Sequence, residues 1–294
     1  MHTSEASDIR MHTIEKILAK QDDSFRWGFD EKRARERPEY LYYSPNFKST
    51  LWTLVLLADI KAPVDTPQVK PSIRLITERF YDPEHGIFRF SNKSHFPIPC
   101  LNGNMIYLHH YFETSHSEAL DRTIGFFAAY QRFDDGDFKT PKLYPYCSNT
   151  SCYGKHTCYW GVTKLLKGIS FIPKTRRTEE AQRLIENCIE FVLHHEVCFG
   201  SHHKDRYLHG VIGQLTFPNF YKSDFLELLW LLGREGVHDR RMSRSLELLR
   251  TKMKEGGFWD LEKTMNIIVP IGQKDRANAF ITGRATEVLD YYGR

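Results

Sequence analysis

Along this chain, helical segments that are apolar on nearly every side alternate with segments that are apolar on one side only. The first kind covers 51–58, 105–112, 159–172 and 225–232. A helix with no polar face has to be covered all round. The second kind covers 9–18, 69–80, 120–131 and 242–253, and it recurs where Ala181, Leu184, Ile185, Ile189 and Val192 fall at helical spacing. Such a helix buries one stripe and shows the rest to water. One-sided helices can cover the fully buried ones, so the alternation predicts an inner and an outer layer built from five hairpins. Outer helices are expected near 6–20, 67–81, 118–131, 177–195 and 240–254, and inner helices near 47–60, 101–114, 152–171, 221–234 and 277–291. No segment shows the two-residue period of a strand, and no linker divides the chain, so 1–294 reads as one all-α domain.

The joints and the helix starts repeat as well. Gly28-Phe29, Gly86-Ile87-Phe88, Gly136-Asp137-Phe138 and Gly256-Gly257-Phe258-Trp259 each follow an outer helix. In each, glycine suits a left-handed cap and the aromatic can anchor back on the core. Inner helices open on Lys48-Ser49-Thr50, Gly103-Asn104-Met105, Lys155-His156-Thr157 and Lys222-Ser223-Asp224. Cys100, Cys152 and Asn219 stand three residues before the glycine or lysine of the last three. The loops 89–99, 133–151, 197–219 and 259–276 lead into these starts and are expected to roof one end of a shared cavity.

Asp134-Asp135-Gly136-Asp137-Phe138, Glu255-Gly256-Gly257-Phe258-Trp259 and the Lys48–Trp52 type of helix start resemble the alpha-toroid of terpenoid cyclases and protein prenyltransferases. The resemblance implies an α/α toroid, a double ring of about five inner and five outer helices round a central cavity. It carries no reaction over, because the Asp-x-Asp-Asp acid motif of squalene-type cyclases has no counterpart at an inner helix here. Cys152-Tyr153-Gly154 looks like the cysteine-glycine motif of lanthionine cyclases, a second family of zinc-dependent helical toroids, whereas of their Cys-His-Gly element Leu208-His209-Gly210 has the histidine and glycine without the cysteine.

Four sets of residues carry the expected chemistry. Lys48, Lys155 and Lys222 share one slot, with Arg284 close to the fifth, and would bind an anion together with the amino ends of the inner helices. Asn104, Asn219, Trp52, Tyr159 and Trp160 would line the cavity wall. Cys100, Cys152 and His156 supply three zinc ligands with an open fourth position, with Cys147 as a fourth candidate. Cys158 could join only if its helix starts after Cys152. Asp224 sits among apolar residues, where burial would raise its pKa, and it and His156 would handle protons. The histidine cluster 194–209 reads as a surface loop.

The implied ligand is amphiphilic, an isoprenoid or acyl body with an anionic head. The implied protein is a transferase or cyclase, assisted by zinc. The alternatives are a non-catalytic toroid that clasps a peptide or lipid, and a lanthionine-type cyclase. A net charge of +4, with cations and carboxylates interleaved, does not point to nucleic acid. No run of 18 apolar residues occurs, so no transmembrane helix is expected. The N-terminus lacks the apolar stretch of a secretory signal, so the expectation is a cytoplasmic protein with its six cysteines reduced.

Overall fold

The computed structural model describes residues 3–28, 30–36, 47–91, 94–114, 117–137, 139–147 and 150–293. The chain is mostly helical. The amphipathic segments form α1 (Thr3–Leu18), α4 (Val69–Phe80), α6 (Ser117–Tyr130), α9 (Glu179–His194) and α11 (Ser243–Thr251). The apolar ones form α3 (Thr50–Asp59), α5 (Pro99–Tyr111), α8 (Tyr159–Ser170) and α10 (Phe225–Glu235), and the fifth expected inner helix is α12 (Ala279–Tyr292), which buries one face only. Two short helices, α2 (Glu31–Glu36) and α7 (Thr150–Tyr153), complete the set.

Burial follows the sequence pattern. All ten residues of α3 are buried. In α9 the buried face is Ala181, Leu184, Ile185, Cys188 and the stretch from Phe191 to Leu193. Thr178 caps that helix by accepting from the Ala181 amide, 3.2 Å away. These five helices touch in succession: α3 meets α5, α5 meets α8, α8 meets α10 and α10 meets α12. On the outside, α4 packs on α3, α6 on α5, α9 on α8 and α11 on α10. Lys61, just past α3, pairs with Glu287 of α12 at 2.5 Å and so links the first helix of this series to the last.

The closest approach is between α5 and α8. A Cβ added to Gly103 would overlap the Lys164 backbone, and one added to Gly168 would strike the Gly103 carbonyl. The glycine in the expected lysine slot is therefore required by a backbone-to-backbone contact.

Three expectations are corrected. Two-residue strands β1 (Tyr81–Asp82) and β2 (Ile87–Phe88) pair antiparallel in the second joint, where no strand was foreseen. The inner helix expected over 152–171 is broken. α7 ends at Tyr153, and α8 begins only at Tyr159, with Cys158 as its N-cap. The anchor of the first joint is Trp27, before the glycine; Phe29 and Phe138 lie outside the described residues.

The first and last joints share one bonding scheme, and the second varies it. The Trp27 amide donates to Thr50 Oγ1 at 3.1 Å, and the Trp259 amide donates to Thr282 Oγ1 at 3.1 Å. In both, the indole Nε1–H reaches a carbonyl of the preceding outer helix, Ile17 at 2.8 Å and Leu249 at 2.9 Å. At Phe88 the partner is Asn102, whose amide side chain accepts from Phe88 N at 2.7 Å and donates to its carbonyl at 2.9 Å. Thr50, Asn102 and Thr282, each on the first turn of its helix, thus satisfy backbone that the joint would otherwise bury unpaired.

Candidate functional site

Charged residues sit inside the layer of apolar helices. Lys164 and Lys167 of α8 are fully buried. Lys164 Nζ donates to Glu227 Oε2 at 2.6 Å and to the Asn219 carbonyl at 2.7 Å. Lys167 Nζ donates to Asp59 Oδ1 at 2.6 Å and to Glu227 Oε1 at 2.9 Å, and it lies over the Tyr107 ring. Tyr107 donates its hydroxyl to the same Asp59 oxygen at 3.1 Å. Arg284 Nη1 donates to Asn219 Oδ1 at 2.8 Å. Lys164, Lys167 and Arg284 outnumber Asp59 and Glu227 among these buried charges. Burial alone would raise the Glu227 carboxyl, but Lys164, Lys167 and Arg284 outweigh it and hold the group down to about 2.

Three polar atoms in this region are buried without a partner: Asp59 Oδ2, Asn104 Oδ1 and Asn219 Nδ2. Buried polar atoms are ordinarily bonded, so these three are departures from the usual pairing.

Beside this network lies a cavity of about 470 Å³. Its wall includes Asp59, Tyr107 and Arg284, so the network forms one side of it. Tyr111, Phe171, Phe217, Trp230 and Phe280 add rings, and Arg10, Lys61 and Arg234 add cations. The Arg234 guanidinium lies 4.1 Å from the centre of the Phe171 ring, and that of Arg284 lies 4.9 Å from Trp230. Cavities of this size commonly take small-molecule ligands.

The position differs from the one expected. α3, α5 and α8 meet the cavity at or just beyond their carboxyl ends, through Ala58–Lys61, Tyr111 and Phe171, and α10 meets it through Trp230 and Arg234. Of the expected anion ligands, Arg284 reaches it. Lys48, Lys155 and Lys222 do not line it. Lys155 is exposed, and Lys222 Nζ lies over the Trp160 and Tyr221 rings at 5.8 and 5.7 Å. The slot that aligns these lysines in sequence lies near the amino ends of their helices, away from the ends that border the cavity. Trp52 is core, packed on Phe47 and Phe220. Asn104 and Asn219 belong to the surroundings of the charge network, Asn104 donating to the Phe220 carbonyl at 2.9 Å.

Asp224 is the N-cap of α10. Its Oδ1 accepts from the Glu227 amide at 2.8 Å and its Oδ2 from the Thr216 amide at 2.6 Å. Burial raises its pKa to about 6, as expected of its surroundings. Both oxygens are committed to backbone, and the residue is only 1% exposed, so it does not face a ligand.

The expected zinc set is divided. The free Cys152 thiol donates a hydrogen bond to Cys158 Sγ, made possible by the helix break, while Cys100 interacts electrostatically with both. The Cys152 hydrogen bond and the Gly161 and Trp160 amides outweigh burial and hold the Cys158 thiol down to about 7. Burial, with the Cys158 charge beside it, pushes Cys100 up to about 12. Alkylation of Cys158 by iodoacetamide should therefore show a midpoint near pH 7, and Cys152→Ala should move it toward the ordinary thiol value of about 8.5. A wild-type midpoint at that ordinary value would refute the hydrogen-bonded thiolate.

His156 turns away to the third joint, its Nδ1 3.7 Å from Asp135 Oδ1. Asp135 and His156 line a second cavity of about 280 Å³ with Thr157, Tyr159, Trp160, His195 and His209. His195 is 2% exposed, and its Nδ1 has no partner. Burial lowers its pKa, which keeps the ring neutral. The neighbouring Asp134 is taken by Arg132 at 2.6 Å through two nitrogens, so the acid triplet of this joint is structural on that side.

Among the described residues, the compact group of potential metal ligands is Asp82, Glu84, His85 and His95, whose ligand atoms lie within 4.8 Å of one another. The turn Asp82-Pro83-Glu84-His85-Gly86 carried that signal in sequence. No described helix is long and apolar enough to cross a membrane. No family model matches this chain, and neither a curated protein nor a solved structure matches it.

Proposed function

We propose that this chain is an α/α toroid that holds an amphiphilic, anionic ligand in the 470 Å³ cavity. The observation that carries this reading is the lining: six aromatic rings and four cations round one space, against two carboxylates, Asp59 and Glu287. Rings favour an apolar body, and guanidinium groups favour a phosphate or carboxylate head. The toroid is supported by the unbroken series of contacts from α3 to α12 and by the ion pair that links the two ends of that series. In the enzymatic form of the reading, Asp59 is the candidate general acid or base, because it is a carboxylate residue of the cavity wall and one of its oxygens has no hydrogen-bond partner. The thiols stand at the opposite ends of the inner helices, so the geometry favours binding at the cavity over zinc-assisted transfer and over lanthionine-type thiol addition.

The test titrates farnesyl diphosphate, dodecyl phosphate and dodecyltrimethylammonium, following tryptophan fluorescence and calorimetry. Both anionic amphiphiles are expected to bind saturably, at least tenfold tighter than the cationic one. Arg234→Gln and Lys61→Gln should each weaken the anionic pair and leave the fold intact. Equal or tighter binding of the cationic amphiphile, or no saturable binding of any, would refute the reading.

A further inference from the structure

The turn between β1 and β2 gathers two imidazoles on one buried carboxylate. Asp82 is 3% exposed. Its Oδ1 accepts from the Glu84 amide at 3.1 Å, which closes the turn. Its Oδ2 is left for side chains, and His85 Nδ1 and His95 Nδ1 approach it at 3.1 and 2.6 Å. The two rings are 4.7 Å apart at their centres. Glu84 offers a second carboxylate, with its ligand oxygen inside the same 4.8 Å sphere.

We propose that Asp82, Glu84, His85 and His95 bind a divalent transition-metal ion, zinc being the best match, which clamps the β1–β2 turn to the segment entering α5. Two neutral imidazoles with two carboxylates are a ligand set for a borderline cation, and they leave no role for a soft one. With bonds of about 2.0–2.2 Å, ligands on a tetrahedral zinc stand about 3.3 Å apart. At 3.1 Å the His85 Nδ1 is nearly at that spacing already, and the His95 Nδ1, at 2.6 Å, has to retreat from Asp82 Oδ2 by about 0.7 Å. His95 is half exposed and carried on a loop, so it can supply the movement.

The charges also suit a dication. Arg89 Nη1 is 3.9 Å from Asp82 Oδ2 and partly neutralises it, so one carboxylate alone would attract a dication poorly. Glu84 restores the negative balance. Tyr144 donates to the His95 carbonyl at 2.9 Å and Tyr153 to the Pro97 carbonyl at 3.1 Å, which already hold this segment from the far side. The segment leads directly to Cys100. A metal here would fix where that thiol stands without being bound by it.

Cobalt(II) and zinc(II) are the probes, added to the intact chain at pH 7.5. One equivalent is expected to bind. Cobalt should give visible d–d bands without an intense thiolate charge-transfer band, which separates this site from the cysteines. His85→Ala and His95→Ala should each weaken binding at least tenfold, and Glu84→Gln less. A Cys152→Ala/Cys158→Ala variant should bind as wild type does. The proposal is overturned if neither metal binds, if a thiolate band accounts for the bound cobalt, or if binding survives in the His85→Ala/His95→Ala double variant. Circular dichroism of each variant checks that the fold persists.

Discussion

Glu227→Gln is expected to destabilise the protein by about 3–5 kcal/mol, because it leaves two buried lysines facing one acid. Lys164 and Lys167 each give a hydrogen bond to a different oxygen of Glu227, and of the two lysines Asp59 accepts from Lys167 only. Lys164→Met should cost less, since Glu227 keeps Lys167. Urea unfolding at pH 7 measures both; a Glu227→Gln loss below about 1 kcal/mol would mean that the network is not formed. The pH dependence has a defined sign. The folded pKa of Glu227 lies near 2, below the ordinary carboxylate value of about 4.3. Its contribution is therefore present above that ordinary value and is lost as pH falls toward 2. Asp224 slopes the other way. Its folded pKa is raised to about 6, so its charge lowers stability as pH rises from the ordinary value to 6. In Glu227→Gln the acid limb should flatten while the Asp224 slope persists.

Trp259→Ala is expected to cost a similar amount, about 3–5 kcal/mol. The side chain is 2% exposed, and its Nε1 satisfies the Leu249 carbonyl. Truncation both opens a cavity and orphans that carbonyl. Trp259→Phe separates the two effects, since it fills most of the space and loses only the hydrogen bond, at about 0.5–1.5 kcal/mol. Trp27→Ala should match Trp259→Ala, because the two joints bond alike. If thermal unfolding shows a loss below about 1 kcal/mol for Trp259→Ala, the indole is not the anchor of its joint.

The helices were legible because burial imposes a period that local sequence records. A one-sided segment such as 181–192 has few other ways to fold, and α9 lies where its stripe placed it. The central charges were not legible for a related reason. Lys164 and Lys167 fall within an apolar run, where two lysines in a dozen residues look like edge positions; their acids are on α3 and α10, far away in sequence. The helix break before Cys158 had a signal in Gly154, at which a Cβ would strike the Thr150 carbonyl. The slot alignment of the lysines failed because likeness of short segments does not fix register between helices. Gly103 packs on Lys164 and Gly161 on Pro99, which sets Cys100 level with the start of α8. Cys100 thus meets Cys158 as well as Cys152.

The wall of the large cavity is fastened in two very different ways. Between α5 and α8 the fastening is main chain on main chain through Gly103 and Gly168, a contact without charge for salt to screen. Between α3 and α12 it includes a Lys61–Glu287 pair whose two side chains are 49% and 46% exposed. Charges so open to water are screened by ordinary salt. Added electrolyte thus slackens the seam between the two chain-terminal repeats and leaves the middle of the wall unmoved.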